Sequence, residues 1–157
     1  MKKINVTDLF LFVISTELIG ALSGLLSGNF SDFYGNLNKP AFAPDGLVFP
    51  IVWGILYALM GISAYLIFNS DKAKPKKKKA LIIYAVQLFV NFSWSIVFFR
   101  FRMIGLSIAV ILVLIILVAG MIYNFKRISP LAAYINIPYL LWIIFAAYLN
   151  IAIQILN

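Results

Sequence analysis

The sequence predicts an all-α fold, an integral membrane bundle of five transmembrane helices making one domain over residues 1–157, and two observations carry that reading. The mean hydropathy is +1.02, with 64% of residues in the apolar set and 11% charged, far from the balance of a soluble domain. The apolar residues gather in five stretches, at about 9–27, 49–68, 80–99, 103–123 and 131–155, each close to the length at which a helix rising 1.5 Å per residue crosses about 30 Å of hydrocarbon. Gly and Pro punctuate these stretches regularly, and barrel strands would be only about ten residues long.

The net charge of +8 has nucleic acid as one explanation, but every Lys/Arg cluster lies beside an apolar stretch. Contact with anionic membrane lipid and a topological signal account for that placement, and no nucleic-acid partner is expected. The chain has no Cys and no His, which removes disulfides, the usual zinc ligands and axial-histidine haem ligation. No metal site and no required cofactor are expected. The amino-terminal MKKINVTDLFLFVIS has the basic start and apolar run of a leader, but Glu17 breaks the run, so it reads as a retained first helix.

In the first span Gly20, Gly24 and Gly28 recur every four residues, the spacing of a close helix–helix seam. Glu17 shares their broad face, and a carboxylate inside a span marks either a functional site or a polar pairing near the interface. The following loop, residues 28–49, carries Phe30, Phe33, Tyr34, Phe42 and Phe49 among Gly, Asn and Pro. Pro40 and Pro44 stiffen it, so it reads as an ordered cover over one end of a pocket or as an interfacial aromatic anchor. Pro50 suits the first turn of the second span.

The second span steps through Trp53, Tyr57, Gly61 and Ala64 on one face, two rings followed by small residues, a pattern that leaves a slot for a flat apolar molecule or packs an ordinary neighbour. DKAKPKKKK at 71–79 is a short turn on a charged membrane face. In the third span Gln87, Asn91, Trp94 and Ser95 fall along one side of a helix, which must face protein or a cavity because uncompensated amides are costly in hydrocarbon. The fourth, with little polarity beyond Ser107, reads as the most lipid-exposed helix. In the fifth, Asn136, Tyr139, Ala146 and Asn150 lie near one face, Trp142, Phe145 and Leu149 near an adjacent one, and Pro138 is placed to bend the helix or open its hydrogen-bond ladder. Ten Lys/Arg on the amino-terminal side against three on the other place the amino terminus inside and the carboxyl terminus outside.

Three motifs in order, Trp53-Gly-Ile-Leu-Tyr57-Ala-Leu-Met-Gly61, Gln87-x3-Asn91-Phe-Ser-Trp94-Ser95-x2-Phe98-Phe99 and Pro138-Tyr139-x2-Trp142-x2-Phe145-Ala146-x2-Leu149-Asn150, together with Asn38-Lys39-Pro40-Ala-Phe42-Ala-Pro44, closely resemble the TspO/MBR family of translocator proteins. The resemblance covers nearly the whole chain. It implies a five-helix bundle, commonly a homodimer, in a bacterial cell membrane, with a pocket beneath the first loop for porphyrins such as protoporphyrin IX and for related flat ligands. It implies pocket residues at Trp53, Tyr57, Asn91, Trp94, Trp142, Phe145, Ala146 and Leu149, covered by Pro40, Phe42 and Pro44. The cover departs from the family pattern at Phe42 and Leu47, where Trp is usual, and at Asp45, where a second Pro is usual; these changes bear on porphyrin affinity and bring a carboxylate toward the pocket mouth. The tail NIAIQILN lacks the Tyr and basic residue of the animal cholesterol motif.

Three functions follow from these readings. The first is a membrane receptor, sensor or transporter-like protein for tetrapyrroles. The second, implied by bacterial relatives, is light- and oxygen-dependent porphyrin degradation with Trp53 and Trp142 as the oxidisable catalytic residues; with no nucleophile–base constellation, hydrolase chemistry is not expected. The third is a scaffold whose partner reads the lysine loop or the glycine seam.

Overall fold

A computed structural model describes residues 3–157; Met1, Lys2 and the side chain of Phe30 lie outside the described residues, and with them one lysine of the charge count and one aromatic of the loop. The architecture is all-α, with five apolar helical stretches long enough to cross a membrane. Helix α1 (Val6–Leu26) begins earlier than the expected span because Asn5 caps it, its side-chain oxygen accepting from the Thr7 and Asp8 amides at 3.0 and 3.4 Å. It stops at Gly28, whose φ of +75° is a left-handed conformation that suits glycine. The long loop contains a short helix, α2 (Phe30–Gly35), capped by Asn29. Then come α3 (Val48–Phe68), with Pro50 in its first turn, and α4 (Lys74–Ser95), with Pro75 in its own.

Helix α4 does not end as an α-helix. Ile96–Arg100 forms a π-helical turn, in which the Phe101 amide bonds back to the Ile96 carbonyl at 3.0 Å, and Arg102 follows with a φ of +56°. Wide turns of this kind concentrate at functional sites, and nothing in the apolar pattern announced this one. The fourth stretch is α5 (Ile104–Lys126), and the fifth divides into α6 (Pro130–Tyr134) and α7 (Ile137–Leu156). Pro138 therefore starts a new helix instead of bending a continuous one. The buried Asn136 secures the break: its side-chain NH2 donates to the Ala132 carbonyl at 2.7 Å and to the Ser63 hydroxyl on α3, tying the interruption to the neighbouring helix.

Helix α1 packs chiefly on α3, whereas α5 packs on α4, α6 and α7. The expectation that the fourth span is the most lipid-exposed is thus overturned. Ser107, Ile111, Leu114, Val118, Met121 and Phe125 form a fully buried row down α5, while α1 buries only Thr16 and Ser23. A helix that is apolar on every side hides its inward face from pattern analysis, because lipid and protein interior reward the same residues.

Candidate functional site

The α1–α3 contact is set by two glycines. A Cβ on Gly61 would stand 2.7 Å from the Val13 Cα, and one on Gly20 would stand 2.3 Å from the Tyr57 ring. Beyond Gly20 the helices part: a Cβ on Gly24 or Gly54 would meet nothing within 4 Å. The expected glycine seam is therefore three separate devices, a contact at Gly20, an opening at Gly24 and a helix stop at Gly28.

The opening is a cavity of about 310 Å³ between α1, α3 and the end of α4. Glu17, Gly20, Ser23 and Gly24 line it from α1, Trp53, Gly54 and Tyr57 from α3, and Ser95 and Phe99 from the third span. Ala21, Gly24 and Pro50 at its margin are exposed. Its size is at the lower end of small-molecule sites, which run from about 300 to 1,000 Å³.

Behind Trp53 the interior is filled. The Trp53 ring lies 5.6 Å from Tyr57 and 6.2 Å from both Trp94 and Tyr139, centroid to centroid. Trp94 stacks on Phe98 at 5.7 Å, and Phe49 bridges Tyr34 and Trp142 at 5.0 and 5.9 Å. A void of only about 10 Å³ remains among Phe49, Trp94, Ala146 and Leu149. Two buried indole Nε1 atoms, of Trp94 and Trp142, have no hydrogen-bond partner.

A polar chain runs beneath these rings. The Tyr57 hydroxyl donates to Asn91 Oδ1 at 3.4 Å, Asn91 Nδ2 donates to the Tyr139 hydroxyl at 2.8 Å, and that hydroxyl donates to Gln87 Oε1 at 2.9 Å. All four residues are buried. The amides expected to face protein on the third span are here satisfied by tyrosines of α3 and α7, which removes most of the penalty of holding them in hydrocarbon.

The loop closes over Tyr34, which is 3% exposed. Its hydroxyl donates to the Pro44 carbonyl at 3.1 Å, and Lys39 Nζ donates to the Tyr34 carbonyl at 3.2 Å while sitting 4.8 Å from the ring centre. Burial, and after it the Asp45 carboxylate, pushes the Tyr34 phenol above its ordinary pKa. Asn38 and Asn157 exchange two hydrogen bonds of 3.0 Å, fastening the loop to the end of α7. Pro40 and Pro44 are half-buried, but Phe42 is 79% exposed, so the inner side of the cover is Tyr34 with the half-buried Phe33. Asp45 does not turn inward either: its Oδ1 accepts from the Leu47 amide at 2.9 Å and leads the chain into α3.

Of the residues expected to line a pocket, Trp53 and Tyr57 reach the cavity. Asn91 lies behind Tyr57, and Trp94, Ala146 and Leu149 pack in the closed interior. Trp142 and Phe145 line a separate apolar groove on the other flank of α3, with Val52, Ile55, Leu56, Leu59, Pro138 and Leu141. Gly20, Gly24, Ser23 and Ser95 were not singled out as ligand contacts. Among the described residues no group of three Asp, Glu, His or Cys side chains is gathered that could hold a metal ion.

Residues 12–156 match the model of the TspO/MBR family. The chain is 33% identical over 162 residues to the tryptophan-rich protein TspO of Archaeoglobus fulgidus, covering 98% of this chain and 99% of that one. It is 34% identical to the tryptophan-rich sensory protein of Cereibacter sphaeroides, covering 80% of this chain and 77% of the relative. To the human translocator protein it is 34% identical, over 75% of this chain and 70% of the relative.

Proposed function

The chain belongs to the TspO/MBR family, and from that premise we propose that it is a membrane receptor or sensor that binds tetrapyrroles and related flat apolar molecules in the cavity between α1 and α3. The observation that carries this reading is the wall made by Trp53 and Tyr57, two tilted rings 5.6 Å apart, beside the opening at the small residues Ala21 and Gly24, with the Gly20–Tyr57 contact closing its inner end. Aromatic faces opposite small residues make a slot for a planar molecule. A macrocycle enters it edge-first, with the remainder of the ring toward lipid at the margin formed by Ala21, Gly24 and Pro50. Trp94, Trp142, Phe145, Ala146 and Leu149 then support the wall or join the site when Trp53 swings away from them.

The test is quenching of tryptophan fluorescence by protoporphyrin IX with the purified protein in lipid nanodiscs. Saturable quenching is expected, and quenching no greater than in a dye-partition control removes the reading.

Light-dependent degradation is the second reading, and the position of Trp53 on the cavity wall favours it. Trp53 is the oxidisable ring beside a photosensitising ligand, whereas Trp142 faces the other flank of α3. Under illumination Trp53→Phe is then expected to lose porphyrin products while Trp142→Phe keeps them.

The amino terminus is proposed to lie inside. Lys3, the lysines at 72–79, Lys126 and Arg127 share that side, whereas Lys39, Arg100 and Arg102 share the side of the cover. A homodimer is proposed on family grounds.

A further inference from the structure

We infer that Glu17 selects the ligand's charge: the cavity takes a flat apolar molecule that presents a protonated amine or N–H donor to this carboxylate, in preference to one that presents a carboxylate. The inference rests on the binding reading above and adds the ligand's chemical class. Glu17 lies eleven residues after the start of α1 and nine before its end, so it sits at the middle of the span and lines the cavity. Among the described residues no Lys or Arg lines the cavity with it. The guanidinium of Arg100 is held by the Leu26 carbonyl at 3.4 Å, nine residues along α1, or about 13 Å at the helical rise.

Most hydroxyls of the cavity have the same bias. Four of its lining residues carry hydroxyls, and three of these have already donated: Ser23 to the Phe92 carbonyl at 3.2 Å, Ser27 to the Ser23 carbonyl at 2.7 Å, and Tyr57 to Asn91. What they still offer a ligand is lone pairs. Spent hydroxyls around a carboxylate that meets the Ala58 backbone amide, and that no Lys or Arg of the cavity lining pairs, favour cations and repel anions in a low-dielectric span.

Three naphthalene probes of similar size test this: 2-naphthylmethylamine, 2-naphthylmethanol and 2-naphthoate, titrated into the full-length protein in nanodiscs of zwitterionic lipid, with empty nanodiscs subtracted. The same preparations are titrated with protoporphyrin IX. In the parent protein the amine is expected to bind at least about tenfold more tightly than the carboxylate, the size of effect a charge-assisted hydrogen bond supports. Glu17→Gln is expected to bring the two within about threefold of each other, and saturable binding of the alcohol by the variant shows that it is folded. Glu17→Asp, which keeps the charge, is expected to retain the amine preference and serves if the amide variant does not fold. Saturable alcohol binding with the same amine-to-carboxylate ratio in the parent and Glu17→Gln would overturn the charge selection and leave the binding site standing. Absence of saturable binding by all three probes and by protoporphyrin IX would overturn both.

Discussion

Gly20 and Tyr57 meet across the α1–α3 interface with no room between them: a Cβ on Gly20 would lie 2.3 Å from both Cδ2 and Cε2 of the tyrosine ring. The same ring forms a wall of the cavity and passes its hydroxyl to Asn91 on the third span. This glycine therefore sets helix spacing, ring position and the outer end of the buried polar chain together.

Gly20→Ala is expected to push the Tyr57 ring from its place, costing about 1–3 kcal/mol of stability in overpacking. It is also expected to weaken protoporphyrin quenching. Thermal denaturation in detergent and the quenching titration measure the two effects, and Gly20→Ala with unchanged melting would contradict the contact.

Asn136→Ala removes the side chain that joins the α6–α7 break to Ser63 and the Ala132 carbonyl. Because the Asn136 side chain is fully buried, the expected loss is about 1–3 kcal/mol. Ser63→Ala, which leaves the bond to Ala132 in place, is expected to cost less. The melting temperatures of the two variants should keep that order.

The raised pKa of Tyr34 makes the cover sensitive to alkali. The folded state keeps the phenol protonated above its unfolded value near 10. Its contribution is therefore fully present below that pH and is lost as pH rises through the folded pKa, where the unfolded state binds fewer protons than the folded one. Melting temperature followed from about pH 9 to about pH 12 should fall more steeply in the parent than in Tyr34→Phe. Parallel curves would contradict the assignment.

Much of this architecture was readable from residue order, and the unreadable parts have physical causes. Helix existence followed from stretches of apolar residues long enough to span, and the inward side of the third span followed from Gln87, Asn91 and Trp94, since amides in hydrocarbon must find partners. The inward face of α5 did not follow, because a helix apolar on nearly every side gains equally against lipid and protein. The π-helical turn at Ile96–Arg100 is a matter of hydrogen-bond register, which leaves no periodic mark in so short a run. Glu17, Gly20 and Gly24 shared a face on paper; that Gly20 touches a ring while Gly24 opens a cavity depends on where α3 diverges from α1. Asp45, expected near a pocket mouth, is instead occupied with the Leu47 amide.

The most direct measurement uses Gly24, where a Cβ would enter open space and a larger side chain fills the cavity with little strain on the fold. Gly24→Leu and the parent protein, both in lipid nanodiscs, would be titrated with protoporphyrin IX alongside their thermal melts. Melting temperature is expected to hold or rise while saturable quenching weakens at least about tenfold, roughly 1.4 kcal/mol of binding. Equal binding by a Gly24→Leu protein of unchanged stability would contradict this expectation and move the ligand out of the cavity between α1 and α3.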